Sequence, residues 1–445
     1  MFGGFGLAGA VERSAMRKIY WRLLPFLLFT YLLAYVDRIN VGFAALTMRG
    51  DLRMSATEFG FASGTFFWGY FLFEVPSNLA LEKFGARLWI ARIVISWGIM
   101  AGATAFVTGS TSFAVVRFLL GLAEAGFFPG IILYFTYWFP AYHHARIISG
   151  FMMGLPVAVA VGSPISTAML SLDGMFGLHG WQYMYILEAV PTIVCGFIML
   201  FVLTDRPEQA KFLTAEERTW IAAQLAAERV AKDAVQTISL WRSFYNPKVL
   251  WLSLNYFGIV TASLGQLIFI PQIIKSLGVT SNMTVGWLTM IPYVAGTISL
   301  VVWGTVSDRM QERRWNLFGT CLVATGGLVL AGATMGSWWA LVGMTIAACG
   351  FYGSKGPFWS TPPMFLTGST AAAAIAWISS IGNLGGFFGP WYVGFIKDTT
   401  GSYAGGLYGL AALSLVAGVV CALFLKIPTD ALTVARNGHD AVTRR

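Results

Sequence analysis

Charged residues are scarce in this chain of 445 residues. Asp, Glu, Lys and Arg make up 11% of it, while 57% of the residues are hydrophobic and the mean hydropathy is +0.68. Ordinary soluble domains contain roughly 25% charged residues. No soluble core could enclose so much apolar surface, so the composition excludes a soluble globular protein and predicts a protein that crosses a membrane several times.

Cysteine and histidine are equally rare, with four of each. Each cysteine stands alone in an apolar stretch, which is typical of small core residues and gives no metal-ligand spacing. The histidines fall in predicted loops or in the C-terminal tail. We therefore predict no metal, no cofactor and no catalytic group within the membrane, which argues against a membrane-embedded enzyme. The residues concerned are Cys195, Cys321, Cys349 and Cys421, with His143, His144, His179 and His439.

Long apolar stretches are what the sequence has in abundance. A helix that spans a bilayer needs about 20 mostly apolar residues, and twelve stretches qualify. We predict an all-α polytopic membrane protein with twelve transmembrane helices. The stretches are 18–46, 56–82, 88–107, 113–139, 146–172, 182–203, 249–274, 283–307, 315–335, 338–366, 370–396 and 404–425.

The net charge of +9 is distributed unevenly over the loops. With a cytoplasmic N-terminus, 22 of the 29 Lys and Arg residues fall on the cytoplasmic side and four on the other. This asymmetry follows the positive-inside rule, so we predict a multi-pass protein of the cell (inner) membrane with both termini in the cytoplasm. The positive charge indicates topology rather than a nucleic-acid partner. The first apolar stretch is too long, with the wrong flanks, for a cleaved signal peptide.

The chain divides into two halves of six spans. We predict domains at 1–203 and 249–426, a cytoplasmic linker at 204–248 and a cytoplasmic tail at 427–445. Thr214-Ala-Glu-Glu217 predicts a capping box that opens an amphipathic linker helix. Asn78–Arg87 follows the second span and Gly304–Arg314 follows the eighth, and each contains an acid, a base, a short gap and an arginine. Matching features at matching positions indicate a duplication and two pseudo-symmetric six-helix bundles.

These two loops resemble the inter-span motif of the major facilitator superfamily. The first departs from the motif at Asn78, Glu82 and Ala86. Further stretches are similar to the anion:cation symporter branch, in particular to its tartrate, phthalate and hydroxyphenylacetate permeases. The resemblance implies the major facilitator fold, proton-driven uptake of an organic anion, and a gating role for Glu82, Arg87, Asp308 and Arg309. The stretches are Tyr35–Asn40, Phe73–Asn78, Gly85–Arg92, Arg117–Gly126, Gly356–Trp359 and Ser380–Gly386.

Arg38 and Asp37 stand side by side within the first span. A charge at mid-bilayer costs at least ~2.5–3.5 kcal/mol, so both need partners or a water-filled cavity. A guanidinium stays charged when desolvated and matches a carboxylate with two parallel hydrogen bonds, so we predict that Arg38 binds the substrate carboxylate. The alternative is a structural ion pair with an acid of a neighbouring helix. Adjacent side chains point about 100° apart on a helix, which lets Arg38 and Asp37 face different surroundings.

Arg117 and Glu124 lie on one face of the fourth span, because they are seven residues apart. Burial of a carboxyl group favours its neutral form, so we predict that Glu124 carries the coupled proton, and Glu124 matches the acidic position of the family in this span. The alternative is a satisfied packing acid. Asp37 and Arg117 are predicted to pair and to form a second titratable switch. Two further acids within the spans, Glu74 and Glu188, are interpreted as structural, with gate pairs as one form of that role.

Lys355 is the one ionisable residue within the spans of the second half. Glycines and Pro357 interrupt its helix, as happens where backbone lines a transport site, so we predict a second cation that suits a second carboxylate. The alternative is a lysine that reaches the interface or pairs with an acid. Polar and aromatic residues complete the predicted substrate site, namely Tyr35, Tyr70, Gln266, Tyr352, Trp359, Ser360, Thr361 and Asn383.

The leading hypothesis is a proton-coupled importer of a small organic anion that works by alternating access, with the lipid bilayer, protons and the anion as its partners. It needs no cofactor and acts as a monomer. An exchanger or exporter of organic anions with the same fold is the alternative, since the sequence does not encode direction. Tartrate-like hydroxyacids, phthalate-like diacids and aromatic monoacids all remain open as substrates.

Overall fold

Helices form nearly the whole of the computed structural model, which describes residues 4–233, 246–310, 312–362 and 368–425, and no strand occurs in those ranges. Within these ranges, eight α-helices precede the linker and seven follow it. The first eight are α1 (Gly4–Asp51), α2 (Ala56–Phe84), α3 (Ala86–Ala103), α4 (Ser110–Glu124), α5 (Phe127–Trp138), α6 (Ala141–Met152), α7 (Gly154–Met169) and α8 (Gly180–Val202). The others are α9 (Ala215–Asp233) in the linker, then α10 (Pro247–Ser276), α11 (Asn282–Met310), α12 (Arg314–Ala333), α13 (Trp339–Gly353), α14 (Lys355–Trp359), α15 (Gly368–Thr400) and α16 (Ala404–Phe424).

The prediction of an all-α membrane protein is confirmed. Each predicted apolar stretch coincides with a helix or a consecutive pair of helices, and nine helical segments in the described ranges are long and apolar enough to cross a membrane. The fourth, fifth and tenth predicted spans are each divided into two helices. Residues 363–366 of the tenth predicted span, and the predicted tail at 427–445, lie outside the described residues.

The break in the fourth span falls directly after Glu124. Helix α4 ends at Glu124, and Gly126 adopts a left-handed backbone with φ of 88° before α5 begins. A side chain is strained in that conformation, and a Cβ at Gly126 would lie 2.4 Å from the Ser77 hydroxyl of α2. The glycine therefore allows α4 to end at Glu124, the residue predicted to carry the proton.

The contacts divide the chain into two compact units. The first contains the described residues up to Met48 and those from Thr65 to the gap after residue 233. The second contains Arg49–Gly64 together with the described residues after that gap. Helix α2 therefore begins in the second unit and ends in the first. The predicted domain boundaries at 203, 248 and 426 stay predictions.

In the second unit, Asp398 near the end of α15 caps the first turn of α2. Its carboxylate accepts the backbone N–H of Ala56 over 3.1 Å, and both the N–H and the hydroxyl of Thr57 over 2.6 Å. Burial alone would raise the pKa of Asp398, but these hydrogen bonds from Thr57 and Ala56 hold it below its ordinary value. An anion at the start of a helix also interacts favourably with the helix dipole.

The linker helix α9 is anchored to the first unit through Glu217. The predicted capping box is present: the Thr214 N–H donates to Glu217 over 2.8 Å, and the Glu217 N–H donates to the Thr214 hydroxyl over 3.2 Å. Lys18 and Ser14 of α1 also donate to the Glu217 carboxylate, over 2.8 and 2.7 Å. Burial alone would raise the pKa of Glu217, but the hydrogen bonds from Lys18, Thr214 and Ser14 hold it below its ordinary value.

Candidate functional site

Arg38 and Glu124, two of the predicted site residues, form an ion pair in the first unit. The Arg38 Nε donates to Glu124 Oε1 over 2.7 Å, and Nη2 lies 2.5 Å from the same oxygen. Glu124 is fully buried, whereas 22% of the Arg38 side chain is exposed. The other carboxylate oxygen, Glu124 Oε2, is buried without a hydrogen-bond partner in the described parts of the chain. Arg38 is thus held by the acid of a neighbouring helix while part of it stays accessible.

Three aromatic rings surround the Arg38 guanidinium. Its Cζ lies 5.2 Å from the ring centroids of Tyr35 and Phe66 and 5.1 Å from that of Tyr70. We call these three residues the aromatic box. Ring faces stabilise a cation that has been removed from water, so the box lets Arg38 keep its charge inside the membrane. Tyr35 and Tyr70 are predicted site residues. Phe66 is not, because a phenylalanine in an apolar run gives no sequence signal.

Arg117 of α4 also contacts the Phe66 ring, with its Cζ 5.1 Å from the ring centroid. Its side chain is buried, and Nε and Nη1 have no hydrogen-bond partner among the described residues. Arg117 is close enough to Tyr185, Glu124 and Asp37 to interact with them electrostatically. A buried guanidinium with unsatisfied N–H groups is costly. Arg117 therefore has N–H groups available for a further hydrogen-bond acceptor beside the Arg38–Glu124 pair.

Asp37 is bound by neutral donors, not by Arg117. The indole N–H of Trp97 on α3 donates to Asp37 Oδ2 over 2.8 Å, and the hydroxyl of Thr192 on α8 donates to the same oxygen over 3.2 Å. Asp37 is buried, as is Trp97. The direct Asp37–Arg117 pair expected from the sequence is therefore absent between these two described residues, because the α1 carboxyl turns toward α3 and α8. As predicted, Arg38 and Asp37 face different surroundings.

Glu188 of α8 belongs to the same polar region as Asp37. Its Oε1 accepts the Ser166 hydroxyl over 2.6 Å, and its Oε2 accepts the Asn40 side-chain N–H over 2.8 Å. Asn40 is one helical turn beyond Asp37 on α1, and Thr192 is one turn beyond Glu188. Sequence reasoning missed four of these side chains: Asn40, Trp97, Ser166 and Thr192. Only Asn40 offered a signal, since it lies within the Tyr35–Asn40 stretch.

Gly121 sets the distance between α4 and α2, which carry Glu124 and the Phe66 and Tyr70 rings of the aromatic box. A Cβ at Gly121 would lie 2.0 Å from the carbonyl oxygen of Phe66, and one at Gly69 would lie 2.2 Å from that of Phe118. Both contacts are with backbone, so neither neighbour can give way by rotating a side chain. The two glycines allow the close helix contact that small residues provide in membranes.

We expect Gly121→Ala to lower the unfolding temperature of the protein in detergent by several degrees and to weaken substrate binding. The added methyl group must push α2 away from α4, and overpacking of this kind costs about 1–3 kcal/mol. Gly326→Ala is the matched control, because a Cβ at Gly326 meets nothing within 4 Å. Equal unfolding temperatures for the two variants, measured by differential scanning fluorimetry, would contradict the role of Gly121.

Lys355 begins α14 in the second unit, directly after the break at Ser354 that separates α13 from α14. Its Nζ lies 5.0 Å from the centroid of the Tyr256 ring of α10. Tyr256 also contacts the rings of Phe358 and Trp359, with centroid distances of 4.8 and 5.0 Å. Lys355 and Trp359 thus both contact the Tyr256 ring. Tyr256 is a residue that the sequence did not indicate.

The remaining predicted site residues of the second unit are bound mostly to their own surroundings. Gln266 donates to the Met344 carbonyl over 3.0 Å, while its Oε1 is buried without a partner in the described ranges. Ser360 and Thr361 donate to the Pro357 carbonyl over 3.1 and 2.8 Å. Tyr352 packs against the Tyr293 ring, and Asn383 is half-buried on α15. Their role in binding stays a prediction.

The predicted gating residues lie at helix ends and are exposed. Asp308 forms an ion pair with Arg313 over 2.6 Å, which joins the end of α11 to the start of α12. The backbone N–H of Arg87 donates to Asp205 over 2.8 Å, so Asp205 caps α3. Arg313 and Asp205 are partners that the sequence did not identify. The side chains of Glu82, Arg87 and Arg309 are exposed to solvent, and the gating role of all four predicted residues remains untested.

Histidine and cysteine side chains form no metal site in the part of the chain that the structure describes. His143 bonds the Tyr20 hydroxyl over 2.9 Å, and His144 bonds the Phe139 carbonyl over 2.7 Å. The four cysteines are free thiols. Within the described ranges, no three His, Cys, Asp or Glu side chains are grouped to hold a metal ion.

Comparison with known families gives one match that covers most of the chain. The model for the Major Facilitator Superfamily matches residues 27–390. A protein of Agrobacterium vitis with the name "Putative tartrate transporter" is 48% identical over 431 residues, which is 96% of this chain and 95% of the relative. The "Putative metabolite transport protein NicT" of Pseudomonas putida is 40% identical over 94% of this chain and 95% of its own length.

Solved structures share the fold at low sequence identity. A D-xylose–proton symporter superimposes with a TM-score of 0.73 and 15% identity, over 92% of this chain and 98% of its own. At that identity the likeness concerns the fold alone. The expected fold is confirmed by this likeness together with the family match.

Proposed function

The chain belongs to the Major Facilitator Superfamily, and we propose that this transporter takes up a small organic anion together with protons. It is a multi-pass membrane protein and not an enzyme. We place it in the cell (inner) membrane with both termini in the cytoplasm, on the strength of the excess of Lys and Arg in the predicted cytoplasmic loops. It acts as a monomer and draws on the proton gradient without a cofactor.

The contact between Arg38 and Glu124 is the observation that carries the proposal. Arg38 is a partly exposed cation whose hydrogen-bonding edge is occupied by a buried carboxylate of the protein. A substrate carboxylate would bind the same edge of the guanidinium, since arginine binds carboxylates with its planar fork. Two carboxylates cannot both be charged around one cation in a low-dielectric site without a large electrostatic cost. Anion binding at Arg38 therefore favours a proton on Glu124.

This competition couples the two movements. A proton taken up from outside neutralises Glu124 and weakens its hold on Arg38, and the anion then binds the released guanidinium within the aromatic box. After the conformational change the anion leaves toward the cytoplasm, Glu124 loses its proton there, and the Arg38–Glu124 pair forms again. Each partner must move with the other, because a proton alone leaves the Arg38 cation without an anion and an anion alone leaves two carboxylates around it, and both states are unfavourable.

Arg117 extends the site beyond one cation. Its unsatisfied N–H groups and its closeness to Glu124 and Asp37 suit a second oxygen of the bound anion or, in another state, the Asp37 carboxylate. Asp37 would then act as a second proton-coupling acid, as the sequence predicts. Polar groups of a hydroxyacid such as tartrate fit this density of donors, and relatives that bear the tartrate name support that substrate class. An aromatic acid such as phthalate would use the rings instead.

Lys355 is proposed to select for a second anionic group. A dicarboxylate offers this cation a second carboxylate, and a hydrogen bond between charged groups contributes about 1.5–3 kcal/mol, whereas a monocarboxylate has no second anionic group to offer. We expect Lys355→Ala to lose affinity for diacids by about tenfold or more while monoacids of similar shape keep or gain affinity. Competition by phthalate and benzoate against wild type and variant measures the preference. If both acids lose affinity equally, Lys355 is structural.

Uptake by reconstituted protein tests the function. Purified protein in proteoliposomes is given labelled tartrate, phthalate or benzoate, with an inward proton gradient or with none. Accumulation that requires the gradient, with acidification of the lumen, supports proton symport. Uptake that depends on an anion trapped inside and ignores the proton gradient would support the alternative, an exchanger. Transport only outward would support an exporter.

A further inference from the structure

We propose that Glu188, together with Asn40 and Ser166, forms a second proton-binding site that takes part in coupling. This inference rests on the proposed proton symport. The sequence alone suggests a structural role for Glu188, and nothing in the Arg38–Glu124 competition requires it. The structure places Glu188 in the interior of the first unit, at the contact of three transmembrane helices, α1, α7 and α8.

Both oxygens of Glu188 are bound by neutral side chains. Ser166 of α7 and Asn40 of α1 supply these bonds, and no ion pair joins Glu188 to a Lys or Arg among the described residues. A structural acid inside a membrane protein is normally held by a cation, because an unbalanced buried charge is costly. The surroundings of Glu188 therefore favour a carboxyl group that holds a proton in this state.

The two neutral partners fit both protonation states. A serine hydroxyl can donate to a carboxylate or accept from a carboxylic acid by rotating its hydrogen. An asparagine amide can present either its N–H or its oxygen by turning through half a rotation, and the Asn40 oxygen is buried without a donor in the described ranges. Glu188 can thus gain or lose a proton without leaving a buried polar group that lacks a hydrogen bond. A proton-binding site needs this property, whereas a purely structural acid does not.

Glu188 is also linked to Asp37. The Thr192 hydroxyl lies 3.2 Å from the Asp37 carboxylate and 3.3 Å from the backbone carbonyl of Glu188. Asp37 is buried in the same polar region and feels the charge of Glu188. Two buried carboxyl groups with no cation bound to either oppose double ionisation. A proton on one acid therefore lowers the affinity of the other for a proton.

The other groups around this site do not change that argument. Helix α7 contains no ionisable residue, and the α3 side chain that is bonded to Asp37 is the neutral indole of Trp97. Tyr185 on α8 is neutral near pH 7. Arg117 of α4 acts on Asp37 and Tyr185 through space and is hydrogen-bonded to neither. Asp37 is therefore the acid whose protonation Glu188 controls most directly.

Glu188→Gln tests the proposal in full-length protein reconstituted in proteoliposomes. The substitution keeps the shape and hydrogen bonds of a protonated Glu188. The ratio of protons to anions is measured from the pH gradient that just balances a gradient of tartrate, or of phthalate if the wild type carries only that acid. We expect the variant to transport one proton fewer per anion than the wild type. Its pH profile of exchange should also show one titration step fewer. Glu217→Gln, the same change outside the membrane, is the control and should leave both unchanged.

An unchanged ratio and pH profile in folded Glu188→Gln protein would overturn the proposal and make Glu188 structural. Ser166→Ala decides the question if the glutamine variant does not fold. Without the Ser166 hydroxyl, the ionised Glu188 carboxylate has one hydrogen bond fewer, so the midpoint of the pH profile should move about one unit toward alkaline pH. An unmoved midpoint would reject the site. If the wild type itself carries no protons, the proposed symport fails first, and that failure is recognised before any variant is compared.

Discussion

Glu124→Gln should abolish accumulation of substrate against its gradient while exchange of substrate across the membrane continues. Glutamine has the size of a protonated glutamate but cannot release a proton, so the driving force is lost and the binding site is kept. Accumulation driven by a pH gradient, measured in proteoliposomes, should fall to the level of liposomes without protein. Counterflow of labelled against unlabelled substrate should remain within a few-fold of wild type.

The same substitution should remove the contribution of Glu124 to the pH dependence of binding. In the wild type the Glu124 carboxylate competes for Arg38, and a bond between charged groups contributes about 1.5–3 kcal/mol. Without that competitor we expect binding at neutral pH to tighten roughly tenfold and to lose the pH step that Glu124 contributes. Glu124→Asp, which keeps a titratable group one methylene shorter, should retain part of the coupling. Accumulation by the glutamine variant with an acidic outside would show that Glu124 is not the essential carrier.

Arg38→Lys should weaken substrate binding at least about tenfold, or roughly 1.4 kcal/mol, in a protein that still folds. Lysine keeps the charge, but its compact ammonium cannot form two parallel bonds with a carboxylate or stack flat on the rings of the aromatic box. The loss should appear as a higher Kd in calorimetry, since an attractive charge alone does not restore the fork.

Arg92→Lys is the matched control for this comparison. Arg92 also lies against a ring, with its Cζ 4.1 Å from the Trp89 centroid, but it is on α3 and its hydrogen bond is to Ser96, which is not a proposed site residue. The control separates a general effect of removing a guanidinium from the specific effect at Arg38. Wild-type affinity in both lysine variants would rule out a forked contact between Arg38 and the substrate.

The sequence predicts the helices well and makes the charged residues within them easy to find, for a physical reason. A bilayer requires apolar stretches of fixed length, and it makes each internal charge conspicuous, so Arg38, Glu124 and Lys355 could be identified before their positions were known. The pairing could not. Arg38 and Glu124 are 86 residues apart, and the rotation of each helix about its axis decides which acid meets which base. The sequence therefore left an ion pair and a substrate contact as alternatives for Arg38, and the structure shows the pair.

The polar partners of Asp37 and Glu188 were missed for the opposite reason. Trp97, Ser166 and Thr192 stand in apolar runs where their N–H and hydroxyl groups look like packing or helix backbone bonds. Their importance comes from position alone, at the contact of α1 with α3, α7 and α8. Uncharged residues of this kind do not stand out in an apolar run, although they decide whether Asp37 and Glu188 face a neutral donor or a cation.

The hydrogen bond from Trp97 to Asp37 gives the protein an internal spectroscopic reporter. An indole N–H bonded to a carboxylate is deshielded more than one bonded to a neutral acid, because the charged acceptor makes the stronger bond. In protein labelled with ¹⁵N-tryptophan, the Trp97 signal should therefore be among the most downfield of the 17 indole resonances and should move upfield as Asp37 takes up a proton. Its absence from the spectrum of Trp97→Phe assigns it. A single titrating peak would then follow one buried carboxyl group through the transport cycle in detergent or nanodiscs, without an added label.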